Sequence, residues 1–322
     1  MNKVMKLFAA GVLLLGGGLF LNVANAQQKP ISIGTGGTGG VYYPLGGGLA
    51  NVISKYLGVQ ATAEVTGGSV DNLKLIGAEK SEIGFTMADA ALDAQNGQGK
   101  FTAGKIPLRA LMILYPNRMH VVTIDGTGIE KFEDLKGKRV STGSPGGATE
   151  VMALRLIEAA GLDKDKDMKR ERLGAAESAN ALKDRKIDAY FWVGGLPTGS
   201  VTDLAATPGV KIKLIDHAKY VDAMNKKYGN LYSKGSIPAS TYPNQGKDNA
   251  NADVWNILVT NDKMSDDMAY KLVKLMVEKN DDLVAVHREA KSFSLANQQA
   301  EKSPVPFHPG AIKYYKEKGL KF

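Results

Sequence analysis

Apolar positions along this chain follow two rhythms in turn. Short runs with apolar residues alternating or unbroken cover Ile31–Thr35, Ala61–Thr66, Ile83–Met87 and Arg109–Tyr115. They recur at Arg139–Thr142, Ile187–Val193, Val210–Ile215 and Trp255–Thr260. These read as strands. Between them, stretches such as Asp71–Lys80, Thr149–Ala160 and Glu177–Arg185 carry apolar residues three and four apart and read as amphipathic helices. From Ser265 onward, Leu272, Leu275, Met276 and Leu283 keep helical spacing. Strand and helix alternating at this interval predict an α/β protein with mostly parallel sheet.

Where the strands stop, small residues take over. Eight of the fifteen residues from Gly34 to Gly48 are glycine, and the helix-like run Leu49–Ile53 follows them. A strand that breaks into glycines and then starts a helix presents backbone N–H groups to an anion, with the helix dipole behind them. Tyr42 and Tyr43 interrupt the glycines, which a loop built only for flexibility would not need. Similar turns occur at Thr66–Ser69, Gly143–Glu150 and Gly194–Thr198. In open α/β sheets, ligands sit at the carboxyl ends of strands, so four such ends can face one another across a cleft. The least patterned region, Ser233–Ala252, and Pro116–His120 read as a pair of crossings between two units. That division gives residues 27–118 plus 240–322 as one lobe and 119–239 as the other. The mixed-charge run Asp163–Arg172 reads as a solvated loop or helix end.

Composition narrows the class. Lys3 and Lys6, the apolar stretch Leu7–Val23 and the small-x-small triplet Ala24-Asn25-Ala26 read as an export signal cut after Ala26, which implies a periplasmic protein. The apolar run is short and glycine-broken for a span of roughly 20 residues. Removing it takes away two lysines and no acids, so the formal charge falls from +8 to +6. No basic block is interleaved with aromatics, which argues against a nucleic-acid partner. The chain has no cysteine, hence no disulfide, thiolate nucleophile or Cys-ligated metal.

Enzyme signatures are missing. His120, His217, His287 and His308 are widely separated, and no HExxH or GxSxG pattern occurs. Gly34-x-Gly36-x-x-Gly39 matches the dinucleotide fingerprint, but glycine density produces such matches. The acid expected about 20 residues on is absent too, the nearest being Glu64. No catalytic residue, cofactor or metal is assigned.

Several motifs in order resemble one family: Val41-Tyr42-Tyr43-Pro44 within Gly34–Gly48; Thr66-Gly67-Gly68-Ser69-Val70-Asp71-Asn72-Leu73; Ile83-Gly84-Phe85 through Asp89; Gly143-Ser144-Pro145-Gly146 with Thr149-Glu150; Ala189–Thr198; and His308-Pro309-Gly310-Ala311 with Tyr314-Tyr315. Together they are similar to the periplasmic solute receptors of TRAP transporters, TAXI type. The resemblance implies a periplasmic-binding-protein type II-like fold, with two lobes joined by two crossing segments. It also implies a small organic anion as ligand (glutamate, 2-oxoglutarate or a similar carboxylate) and a TRAP membrane permease, fused into one subunit, as partner. A monomer is expected. Two departures stand out. Met87-Ala88 occupy the place of a common glutamine-serine pair before Asp89, and Gly146-Gly147-Ala148-Thr149 lacks the serine hydroxyl of the family's common Gly-Ser-Gly-Thr.

The residues expected at the ligand follow from both readings. Gly36, Gly37 and Thr38 offer N–H groups and a hydroxyl. Tyr42 and Tyr43 offer a phenol and an apolar wall, or staple the helix start. Ser69 and Asn72 contact the ligand, or Ser69 caps its helix. Ser144, Gly146 and Thr149 bind a carboxylate from the other lobe. Trp192, Gly195, Pro197 and Thr198 cover it, unless Trp192 is core. Asp89 receives an ammonium group or caps a helix. None of these is an arginine, so recognition rests on neutral donors and helix ends. A binding protein of an ABC importer or sensor system, and an exported enzyme on the same fold, are the competing readings.

Overall fold

A computed structural model describes residues 29–322 of the chain. The export signal read from the first 26 residues lies outside the described residues. The first half of the chain forms β1 (Ile31–Gly34), α1 (Tyr42–Leu57), β2 (Ala61–Glu64), α2 (Ser69–Gly77), β3 (Ile83–Met87), α3 (Ala88–Asn96), β4 (Leu108–Ile124), β5 (Arg139–Ser141) and α4 (Ala148–Ala159). Then come β6 (Lys169–Glu171), α5 (Ala175–Lys183), β7 (Ala189–Gly194), α6 (Gly199–Ala206), β8 (Ile212–Leu214), α7 (Val221–Tyr228), β9 (Tyr232–Ile237) and β10 (Asn249–Asn261). Helices α8 (Asp266–Glu278), α9 (Asn280–Val286) and α10 (Pro309–Glu317) complete it.

One sheet runs in the order β2-β1-β3-β10-β4-β7-β5-β6, with β8 added to β4 and β9 to β10. Its outer units are parallel: β1 with β2 and β3, and β5 with β6 and β7. Its centre is antiparallel, because β4 and β10 are long strands running in opposite directions. The sequence expectation of mostly parallel sheet therefore holds outside and fails in the middle. Pro116–His120, read as a crossing, is the middle of β4, the strand that pairs with β10 and, further on, with β7. The loose-looking Ser233–Ala252 contains most of β9 and the start of β10 around a turn, and the β10 residues opposite Pro116–Arg118 are Asp253–Trp255. Proline has no N–H for a ladder, so its place inside a central strand needs an irregularity. The register between β4 and β10 shifts between Trp255 and Ile257, at the level of Pro116.

The helices obey the periodicity read from the chain. Leu272, Leu275, Met276 and Leu283 are buried, and Ser265 caps α8 by accepting from Met268 N at 3.2 Å. On β7, Tyr190 belongs to one hydrophobic cluster while Ala189, Phe191 and Val193 belong to another, as a period-2 strand covered on both faces requires. Helix α1 starts at Tyr42, seven residues before the apolar run that announced it. Its glycines are spacers: a Cβ on Gly46 would collide with Thr35 Cγ2, and one on Gly48 would lie 2.8 Å from Val286 Cγ2. Close packing against β1 and α9 overrides a helix cost of about 1 kcal/mol per glycine.

Candidate ligand-binding site

A cavity of about 410 Å³ lies where the turns after β1, β2, β5 and β6 converge with the C-terminal end of β7. That volume is within the roughly 300–1,000 Å³ usual for small-molecule sites. Four helices point their N-termini at it. Val41 and Tyr42 of α1, Gly68 and Ser69 of α2, Gly147 and Ala148 of α4, and Gly174 and Ala175 of α5 all line the wall. The residues preceding these helices are a valine and three glycines, and none caps its helix with a side chain. By contrast, α8 and α10 are capped by Ser265 and His308. A helix start without a side-chain cap leaves N–H groups to be satisfied from outside. Four such ends face one space, and Asp71, Glu150 and Glu177 in the first turns of α2, α4 and α5 offset part of their positive potential.

Of the residues expected from the sequence, Gly36, Gly37, Thr38, Tyr42, Ser69, Ser144, Thr149 and Trp192 line this cavity. Their hydroxyls are not equally free. Ser144 Oγ donates to Gly67 O at 2.7 Å, so its proton is spent on the opposite wall. Thr149 Oγ1 accepts from Val193 N at 3.3 Å and keeps its own proton. Ser69 Oγ accepts from Met87 N at 3.2 Å; it does not cap α2, since Gly68 precedes that helix. The Tyr42 hydroxyl donates to Asn256 Oδ1, while its ring stacks on Phe85 at 5.2 Å, so Tyr42 supplies wall rather than a free phenol. Trp192 is half-buried, donates from Nε1 to Thr198 Oγ1 at 2.9 Å, and presses its ring edge against Gly40.

Seven expected residues do not line the cavity. Tyr43 is exposed on the other side of α1. Asn72 is a buried clamp: its Nδ2 donates to Thr35 O (2.6 Å) and Phe85 O (2.8 Å), and its Oδ1 accepts from Thr66 (2.7 Å), where strands and turn leave backbone groups unpaired. Asp89 is fully buried, accepting from Tyr232 (2.8 Å) and from Ala90 N (2.8 Å), with Arg155 at 3.6 Å. Burial pushes its pKa up despite the pull of Arg155. Gly146 packs against Asp71 at the rim. Gly195 packs against Tyr115 and Glu289, and the Pro197 carbonyl meets His287 Nε2 at 3.3 Å. Thr198 holds Trp192 in place and donates to Gly195 O at 2.8 Å.

The structure adds residues that sequence reasoning missed. Tyr115 and Asn117 of β4 form part of the wall, as does the segment Arg172–Glu177. Asn117 lay in the segment read as a crossing, and Tyr115 closed the strand-like run before it. Arg172 lay in the mixed-charge run because β6, Lys-Arg-Glu, is a short exposed edge strand with no apolar alternation. An arginine thus does reach the cavity, against expectation. It is nonetheless paired: Arg172 Nε lies 2.5 Å from Glu150 Oε1, and Lys100 Nζ 3.0 Å from Glu150 Oε2. Burial alone would raise the Glu150 pKa, but these two cations hold it below the usual range. Met87, Gly147 and Ala148, from the two departures noted in the sequence, line the cavity without a polar side chain.

The walls touch each other around the space. Asp71 N donates to Gly146 O at 3.1 Å, Ser200 N to Gly39 O at 3.2 Å, and Arg155 Nη2 lies 2.6 Å from Asp93 Oδ2. This is a closed arrangement, with the cavity between a turn set built on β1–β3 and another built on β5–β7.

A family profile matches residues 33–319 of this architecture. The chain belongs to the NMT1-like family. Solved structures resemble this NMT1-like chain over most of its length. One is described as a periplasmic transporter, at 14% identity, covering 91% of this chain and 93% of that one, with a TM-score of 0.53. Another, from Bordetella bronchiseptica RB50, is 16% identical over 90% and 89%, with a TM-score of 0.52. A third is the ligand-binding component of an ABC-type import system from Staphylococcus aureus, 12% identical over 91% and 93%, with a TM-score of 0.50. At these identities the likeness is one of fold: the NMT1-like chain is an α/β protein of the periplasmic-binding-protein type II-like class.

Proposed function

We propose that this NMT1-like protein is an extracytoplasmic solute receptor that closes over a small organic anion and hands it to a membrane permease of the TRAP type. One observation carries the reading: four helix N-termini without side-chain caps, from both turn sets, meet at one cavity. Neutral donors of this kind stabilise a carboxylate and release it without breaking a salt bridge. A ligand touching both walls favours the closed state by its differential affinity. The motif resemblance adds the TRAP permease as partner and carboxylates such as glutamate and 2-oxoglutarate as the first compounds to screen. A receptor that binds without turnover fits a wall that, among the described residues, includes no histidine. It acts as a monomer in the periplasm.

The likeness to an ABC import component favours a second reading, in which the same closed receptor serves an ABC importer. Thermal-shift screening of the protein lacking residues 1–26 against carboxylates, followed by calorimetry, tests the shared core of both. A ligand present at 100 times its Kd adds about 2.7 kcal/mol of stability. Failure of every organic anion to raise the melting temperature, or conversion of a bound acid into product, refutes the receptor reading. Genes for a large fused permease beside this one would separate the TRAP partner from an ABC importer.

A further inference from the structure

Two apolar side chains at the cavity have no place in the core. Val65, on the turn after β2, and Leu173, on the turn after β6, both line the space. Among the described residues, neither packs into the two hydrophobic clusters that fill the interior. Val65 is 57% exposed and Leu173 is half-buried. A single exposed apolar residue calls for no explanation. Two of them, from opposite turn sets and beside one cavity, do.

Trp192 supplies a third apolar surface, and the protein fixes its position. Its Nε1 donates to Thr198 Oγ1 at 2.9 Å, and its Cζ2–Cη2 edge lies 3.0 Å from where a Cβ on Gly40 would stand. Glycine at 194 leaves room for the same ring, since a Cβ there would collide with Nε1. Thr198 is held in turn, donating from Oγ1 to Gly195 O at 2.8 Å and from its N–H to the Tyr242 hydroxyl at 3.1 Å. The indole is thus pinned at two edges, yet it stays half-buried and lines the cavity. A fixed ring with uncovered surface binds apolar or aromatic groups at little cost in entropy.

Polar side chains on the same walls are already engaged. Thr66 Oγ1 donates to Asn72 Oδ1 at 2.7 Å, and Ser144 Oγ to Gly67 O at 2.7 Å. Arg172 is the one cation lining the cavity among the described residues, and Glu150 holds its Nε edge. Asp71 accepts from Gly67 N at 3.1 Å, and Glu289, behind Gly195, accepts from Leu196 N at 2.6 Å. A second carboxylate on the solute would therefore find no unpaired cation on these walls, and would find Glu177 among their residues.

We infer that Val65, Leu173 and Trp192 form an apolar subsite for the body of the solute, so that the bound anion carries an alkyl or aryl end in place of a second carboxylate. Because Val65 and Leu173 stand on opposite turn sets, one apolar body touches both walls and favours closure. The assignment rests on the receptor reading above, in which the helix N-termini hold the anionic end, and it narrows that reading away from dicarboxylates.

The test uses acids that keep one carboxylate and vary the other end: glutarate, pentanoate and 3-phenylpropanoate. Calorimetry on the protein lacking residues 1–26 should show one of the two apolar acids binding at least tenfold tighter than glutarate; which one wins tells alkyl from aryl. Val65→Ser with Leu173→Ser removes apolar surface outside both hydrophobic clusters, so the melting temperature should stay within a few degrees while the preference falls to threefold or less. A second readout does not depend on that variant. Trp192 and Trp255 are the two tryptophans of the chain, so in Trp255→Phe the emission reports on Trp192 and should shift to shorter wavelength as pentanoate saturates the site. Glutarate or glutamate binding within threefold of the better apolar acid, a preference that survives the double variant, or an unshifted emission overturns the subsite and leaves the receptor reading intact. If no organic anion binds at all, the receptor reading itself fails, and the subsite with it.

Discussion

Gly67→Ala isolates wall-to-wall closure from the chemistry of the site. Gly67 has no positive φ, so alanine is allowed there on conformational grounds. The added Cβ would lie 2.9 Å from Gly146 Cα and 3.2 Å from Gly146 C, both backbone atoms of the opposite turn set, and 2.5 Å from Asp71 Oδ2. Asp71 can rotate away at the loss of its 3.1 Å bond from Gly67 N, but the Gly146 backbone has no such freedom. Carbon atoms sit comfortably at about 3.5 Å or more, so the walls must part by about 0.6 Å. That displacement stretches the Asp71 N–Gly146 O bond, now 3.1 Å, past hydrogen-bonding range and weakens the Ser144–Gly67 bond, now 2.7 Å. Two bonds worth about 0.5–1.5 kcal/mol each are affected, so closure loses about 1–3 kcal/mol. Affinity that depends on closure then falls about 5- to 150-fold. Calorimetry with the tightest ligand from the acid screen measures it, and the melting curve of the unliganded protein confirms folding. A folded variant that binds within twofold of wild type refutes the argument that these turns must meet for the ligand to be held.

Three other outcomes follow from the same geometry. Ser144→Ala with Thr149→Ala should weaken binding at least tenfold, about 1.4 kcal/mol, because one hydroxyl joins the walls and the other keeps a free proton at the start of α4; unchanged affinity in calorimetry removes both roles. Arg155→Met leaves the buried Asp89 and Asp93 without their cation and should cost about 3–5 kcal/mol in urea unfolding at pH 7. Burial already raises the folded-state pKa of Asp89, so this loss should shrink as pH falls and the carboxyl takes up a proton; a pH-independent loss would contradict that origin. His120 and His217 are buried, and burial pushes both pKa values down to about 4. The stability they contribute is present above about pH 6.5 and is lost as pH falls toward 4. NMR titration should find both rings neutral at pH 5.5, and a midpoint near 6.5 for either would show that its site is not dry.

Much of the fold could be read along the chain, because burial imposes a period on each element. The eight strand-like runs all contain strands, and the buried face of α8 was marked by Leu272, Leu275 and Met276. The glycine turns at Gly36–Thr38, Thr66–Ser69 and Ser144–Thr149 stood out on the chain because a strand, small residues and then a helix form a local pattern, and the structure brings all three to one cavity. What the turn sequences withheld was the use of each hydroxyl and amide. Asn72 and Thr198 look like ligand contacts on the chain and are braces in the fold, since only a three-dimensional neighbour decides where a donor spends its proton.

The alternation of apolar residues, by itself, determined that this is an α/β protein whose strand ends carry small hydrogen-bonding turns. The antiparallel centre and the meeting of four helix starts at one cavity were decided by tertiary structure alone. The physical reason is range. Periodicity records which face of an element leaves water, a local property written every two or four residues. Register across β4 and β10, and hydrogen bonds such as Asn117 to Asn256, join residues 139 positions apart and leave no mark on either segment alone.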